Sequence, residues 1–167
     1  MKIKIDFTTN SSSSGFIVID ASRGHEELPC SKTYYIGKLG TTEFGWGAGD
    51  HRDIHSRINF AYMQAYSVDC IKWIDMLNEV IKENSDVVNL VYCIIDSCID
   101  TSYAGAFIMF IAPNLSHCRD YESKEYGYID HQSSATEGEN IEMFASKELL
   151  KDFIFGKDSY VHTDNDN

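Results

Sequence analysis

Long apolar runs are missing from this chain: no stretch of 18 residues reads as a membrane-spanning helix. Proline is scarce, with two residues in 167, and the eleven glycines follow no repeat period, which argues against a proline-rich linker or a solenoid. The fourteen basic residues form no block or stripe, so the usual footprint of a nucleic-acid-binding protein is absent. Cysteines stand at 30, 70, 93, 98 and 118, an odd number with no CxxC pair, which speaks against a disulfide framework and a zinc site. The start, MKIKIDF, turns polar at once and is unlike a signal peptide. The expectation is a reduced, cytoplasmic chain with no membrane contact and no cofactor, its Cys70 and Cys93 acting as small buried hydrophobes.

Core-forming material is plentiful. Apolar residues make up 43 % and aromatics 13 % of the 167 residues, enough for one domain that buries about two thirds of its unfolded surface. Acidic residues outnumber basic ones by 26 to 14, giving a net charge of −12. The excess is uneven: residues 1–84 hold eleven acids against nine bases, and residues 85–167 hold fifteen against five. Such a field repels nucleic acid and anionic membrane and steers basic partners inward.

The strongest periodic signal lies in Asp53–Glu83, where Ile54, Ile58, Ala61, Ala65, Ile71, Ile74, Leu77 and Ile81 recur at helical spacing. Asp53 suits an N-cap. The stripe loses phase at Tyr66–Asp69, so two helices, Ile54–Tyr66 and Val68–Glu83 with Ser67 capping the second, are favoured over one rod. Ile3, Ile5 and Phe7 alternate with polar residues, and Phe16–Ile19 follows the polar loop Thr9–Gly15, predicting a β-hairpin. The serines of that loop offer either a phosphate cradle or a plain turn. Residues 20–32 read as a loop. Strands are expected in the glycine-spaced 33–46 region, at 87–95 and at 104–111, with Trp46 a binding anchor if exposed. Ser146 should cap a helix over KELLKDFIF, closed by Gly156 in the left-handed manner. The fold class is therefore α+β: residues 1–167 form a single domain with a mostly antiparallel sheet covered by a helix pair and a C-terminal helix, and an acidic tail frayed over 160–167.

Chemistry is thinly marked. GxxxxGK[ST] and GxSxG are absent. His51, Asp53 and His55 place three metal-ligand types within five residues, with no Glu following His51. Asp96 and Asp100 flank Cys98 after an apolar run, where a sheet fold would put a carboxylate site. His131 lies beside Asp130 and near Ser133, but neighbours on a strand face opposite ways. These residues support one reading, a small hydrolase, metal-dependent in its His51-Asp53-His55 version.

The segment IDFTTNSSSSGFIVI, with Asp6, Phe7, Thr9, Asn10, Ser11–Ser14 and Phe16, resembles the opening of short proteins of phages and mobile elements in Gram-positive bacteria. Gly15 departs from the fifth serine usual there. The end of the chain, Phe153–Phe155, Ser159-Tyr160 and Asp164–Asn167, is similar to theirs. The resemblance implies a bacterial host cell, a setting whose small acidic proteins include inhibitors of host defence such as anti-CRISPR proteins. It assigns no catalytic residue. The favoured expectation is a non-catalytic acidic protein that binds a basic, nucleic-acid-handling protein without touching nucleic acid itself. Its contact residues would be Asp120, Tyr121, Glu122, Glu125, Tyr126, Glu137, Glu139 and Glu142. A homo-oligomer stays open.

Overall fold

The computed structural model describes residues 2–8, 14–30, 32–36, 44, 49–67, 70–92 and 141–164. As the periodicity predicts, the architecture is α+β with a helix pair and a C-terminal helix. Strands β1 (Lys2–Thr8) and β2 (Ser14–Asp20) form the expected antiparallel hairpin, with Ile3 opposite Ile19 and Ile5 opposite Ile17. Because strand side chains alternate between faces, these isoleucines share the core face with Val161 of β6 (Tyr160–Asp164). β4 (Gly49–His51) completes a fully antiparallel sheet in the order β1-β2-β6-β4.

That order corrects the expectation for the end of the chain. Residues 160–164 are not a frayed tail but a strand held between β2 and β4. Val161 and Thr163 point inward and are buried, and Tyr160, His162 and Asp164 face the other way. Residues 165–167 lie outside the described part. The single sheet is corrected too. β3 (Thr33–Ile36) and β5 (Asn89–Tyr92) form a separate, parallel pair, with Tyr34 opposite Leu90 and Ile36 opposite Tyr92. A parallel pair needs a long crossover, and the two helices supply it. The expected strand at 104–111 and Trp46 fall outside the described residues.

α1 (Ile54–Ser67) and α2 (Ile71–Glu83) confirm the break in the helical stretch. Ser67 ends α1 rather than capping α2, whose first turn is preceded by Cys70 without a side-chain cap. Cys30 and Cys70 are half-buried free thiols; Cys93 is outside the described residues. α2 is amphipathic: Ile74, Leu77, Val80 and Ile81 are buried, and Asp75, Glu79 and Glu83 are exposed. α1 is not a surface helix. Ser56, Arg57, Asn59 and Gln64 are buried along with Ile58, Phe60, Ala61 and Ala65, so α1 runs through the interior. Trp73 of α2 stacks on Phe144, centroids 4.9 Å apart, and so anchors a short 3₁₀ turn, Ile141–Ala145.

α3 (Lys147–Phe155) starts as expected, with Ser146 Oγ accepting from the Leu149 amide at 3.1 Å. Its C-terminal end departs from expectation. Gly156 has φ −62, an ordinary backbone conformation, so left-handed freedom does not explain a glycine there. Space does. A Cβ would sit 2.3 Å from the Asp152 carbonyl oxygen, 2.6 Å from Ser159 Oγ and 2.8 Å from the Asp20 carbonyl oxygen.

The last carbonyls of a helix lack intrahelical donors, and here they are met by nearby residues together with donors from the 20–30 loop and α1. Asp152 O accepts from Gly156 N and Ser159 Oγ, and Phe155 O from Glu26 N at 2.8 Å. Ile154 O accepts from Arg57 Nε at 2.9 Å. The Arg57 side chain is 0 % exposed, and Nη1 also donates to the carbonyls of Ser159 (2.8 Å) and Arg52, while Nη2 meets the Glu26 carboxylate. Burial pushes the guanidinium below its ordinary value, and the Glu26 carboxylate pulls the other way.

Two contrasts test this corner. Gly156→Ala should cost about 2–4 kcal/mol because backbone must move, whereas Gly24→Ala (φ +90, open space) should cost about 1–2 kcal/mol through backbone strain alone. Urea unfolding of the two variants reads the difference; equal costs would contradict the steric argument. Arg57→Met keeps the stem and strips the donors from three carbonyl oxygens, so it should cost about 3 kcal/mol or more. A loss below about 1 kcal/mol would remove Arg57 from its structural role.

Candidate functional site: the outer face of the four-stranded sheet

The cluster His51, Asp53 and His55 does not converge on a common point. His51 ends β4 and points into the core side of the sheet, where Nε2 lies 3.2 Å from Thr163 Oγ1 and the ring meets Phe44 edge-on at 4.8 Å. Asp53 is the α1 N-cap expected from the sequence: Oδ1 accepts from the Ser56 amide at 2.8 Å and Oδ2 from Ser56 Oγ at 2.6 Å. Burial works to raise the Asp53 carboxyl, but those two hydrogen bonds outweigh it and hold the group below the usual carboxylate range. His55, in the first turn, shares a 2.8 Å hydrogen bond through Nδ1 with the hydroxyl of buried Tyr34, the rings nearly parallel. His51 thus ties β4 to β6, Asp53 caps the first turn of α1, and His55 ties α1 to β3. Among the described residues, no group of three or more His, Cys, Asp or Glu side chains is placed to hold a metal ion.

Of the expected contact residues, Glu142 is described: it is exposed on the 3₁₀ turn whose Met143 and Phe144 are buried. Asp120, Tyr121, Glu122, Glu125, Tyr126, Glu137 and Glu139 lie outside the described residues, as do Asp96, Asp100 and His131.

A different constellation emerges on the side of the sheet facing away from α1. Alternation puts Lys4, Phe16, Val18, Tyr160, His162 and Asp50 on that face, with Phe16 opposite His162, Val18 opposite Tyr160, and Asp50 opposite His162. The central strands β2 and β6 supply aromatic rings. Phe16 stacks on His162 with centroids 4.5 Å apart and meets Tyr160 edge-on at 6.0 Å. The edges supply cations. Lys4 Nζ lies 4.0 Å from the Phe16 centroid, and Arg52 Cζ, one residue past β4, lies 3.9 Å from the Tyr160 centroid.

Asp50 joins the two halves of this face. Arg52 Nη2 donates to Oδ2 at 2.6 Å and His162 Nδ1 donates to Oδ1 at 2.7 Å. Burial acts to raise the Asp50 carboxyl, yet the hydrogen bonds from His162 and Arg52 prevail and keep it below its ordinary value. The sequence carried only weak signals for this site: Phe16 and Tyr160 at strand spacing, and a Gly-Asp-His-Arg run that reads equally as a turn. Joining Asp50 to His162 requires a strand register spanning 112 residues.

The half-buried His51 gives a pH test. Burial lowers its imidazole below the ordinary 6.5, a push that the nearby Asp53 and Asp50 carboxylates oppose without reversing. The unfolded chain therefore takes up this proton first as pH falls. Stability from this group is complete above about pH 6.5 and declines from there toward the folded value. The advantage of wild type over His51→Gln should shrink as pH falls through that window, measured by urea unfolding at each pH. A constant advantage would exclude a depressed His51.

No protein-family model, curated protein sequence or solved structure matches this chain, so the reading of the face rests on its own geometry.

Proposed function

We propose that the chain is a non-catalytic acidic interaction protein that binds and inhibits a basic protein partner. The partner's class, a nucleic-acid-handling host defence protein as for anti-CRISPR-type inhibitors, comes from the resemblance of the opening segment. One observation carries the binding reading: of the net charge of −12, residues 85–167 hold fifteen acids against five bases. An acidic excess of that size speeds encounter with a cationic surface and discriminates against anionic ones.

Local structure supports presentation of that charge. Glu142 stands exposed on a turn fixed from below by Met143, Phe144 and Trp73. Beside it, α2 exposes Asp75, Glu79 and Glu83 at four-residue intervals, on one side of the helix. Lys147 pairs with Glu79 and, at 3.4 Å, with Glu83. These exposed ion pairs add little stability, which leaves the carboxylates exchangeable toward a partner. The alternative reading is a small hydrolase; within the described part, His51, Asp53 and His55 each hydrogen-bond a separate partner.

Affinity capture from a Gram-positive bacterial lysate, followed by salt titration, tests the proposal. The captured partner should be basic, and its affinity should fall by about tenfold or more between 50 and 300 mM salt. Reversing Glu137, Glu139 and Glu142 to Lys together should weaken it by about tenfold. Unchanged binding of that triple variant to every basic candidate would sink the acidic-surface reading.

A further inference from the structure

Arg52 shows what the outer face is able to hold. Its guanidinium lies over the Tyr160 ring, carbon to centroid 3.9 Å, while Nη2 donates to Asp50 at 2.6 Å. A ring beneath and a carboxylate accepting from Nη2 match the two binding modes of a guanidinium, contact with an aromatic face and directed donation. The carboxylate is also oriented in advance, because His162 holds its other oxygen at 2.7 Å. On the opposite side of the face Phe16 takes Lys4 in the same way, so each central strand offers a ring to a cation from an edge.

We infer that Tyr160 and Asp50, braced by His162 and Phe16, form a receptor for an arginine side chain of a basic protein, and that Arg52 fills it from within the chain until a partner's arginine takes its place. The contact is suited to exchange. The Arg52 side chain is 56 % exposed and that of Asp50 35 %, so water competes for both. An arginine delivered from a docked protein surface would make the same contacts with water excluded, where they are stronger. Leaving the seat does not disturb the buried node, since Arg57 uses the backbone carbonyl of Arg52 and not its side chain. Arg52 is on this view a built-in competitor. The inference takes the basic partner from the proposed function and adds a second contact region, outside residues 120–142, with a preference for guanidinium over ammonium.

Fluorescence anisotropy with labelled oligo-arginine and oligo-lysine peptides of equal length, at about 100 mM salt, tests it on the full chain. Wild type should prefer oligo-arginine. Arg52→Ala should bind oligo-arginine about fivefold more tightly, although it makes the protein more acidic by one charge; the same gain for oligo-lysine would reduce the effect to bulk charge and overturn the inference. Tyr160→Leu should lose the preference for arginine. An unchanged or weaker affinity in Arg52→Ala overturns the inference, as does a retained arginine preference in Tyr160→Leu with native near-ultraviolet circular dichroism. If Tyr160→Leu does not fold, Arg52→Ala decides alone. The Glu137, Glu139 and Glu142 reversal separates the two readings. Weakening of both peptides by the reversal with Arg52→Ala inert keeps the acidic surface and rejects the receptor; the opposite pattern keeps the receptor and rejects the acidic segment.

Discussion

A buried helix end needs donors for its last carbonyl oxygens, and much of this molecule is arranged around meeting that need for α3. Three of the last four carbonyls of the helix are satisfied in part or wholly by groups outside its own turn: Ser159 Oγ, the Glu26 amide and the Arg57 guanidinium. Arg57 comes from the interior helix, Glu26 from the loop after β2, and Ser159 from the residue before β6. One helix terminus therefore fixes the relative positions of α1, the 20–30 loop and the entry to β6. A guanidinium is well suited here, because its positive charge complements the negative end of the helix as its forked donors reach several oxygens. Glu26, about one third exposed, neutralises it without full desolvation of the pair.

The four-stranded sheet separates two kinds of chemistry by strand alternation alone. One face carries Ile3, Ile5, Ile17, Ile19 and Val161 into the core. The other carries rings, cations and a carboxylate that hold one another at the surface. Moving β6 by one residue would send His162 and Tyr160 inward and Val161 out. The core face thus guarantees the composition of the outer face, and the polar constellation needs no separate device to assemble it.

How legible this was differs element by element. Ile54, Ile58, Ala61 and Ala65 repeat at helical spacing and are buried, and Asp53 and Ser146 cap the helices they were expected to cap. Arg57, Asn59 and Gln64 were illegible, because a polar residue on a helix reads as a solvent-facing one until its partner is known. The partners of Arg57 lie about thirty and a hundred residues away. The parallel pairing of β3 with β5 was there to be read in retrospect, since two helices between two short strands form a crossover. β6 was hidden by its composition. The run of Asp and Asn after Thr163 looked like a solvated tail, and only Val161 and Thr163 hinted at alternation. The outer-face site depends on β6, so it was lost with it.

The place of β6 has a consequence for how the molecule comes together. This strand sits between β2 and β4 yet lies later in the sequence than every other described strand, and Ser14 of β2 faces Asp164 across 150 residues. The hairpin β1–β2 closes locally, but β4 has no described strand to join until residues 160–164 exist. Closing so wide a loop carries an entropic cost before any ladder bond offsets it, and topologies of this kind fold slowly. The pairing that completes the sheet is thus the one with the widest loop to close, and the same five-residue strand brings together the ring-and-carboxylate face.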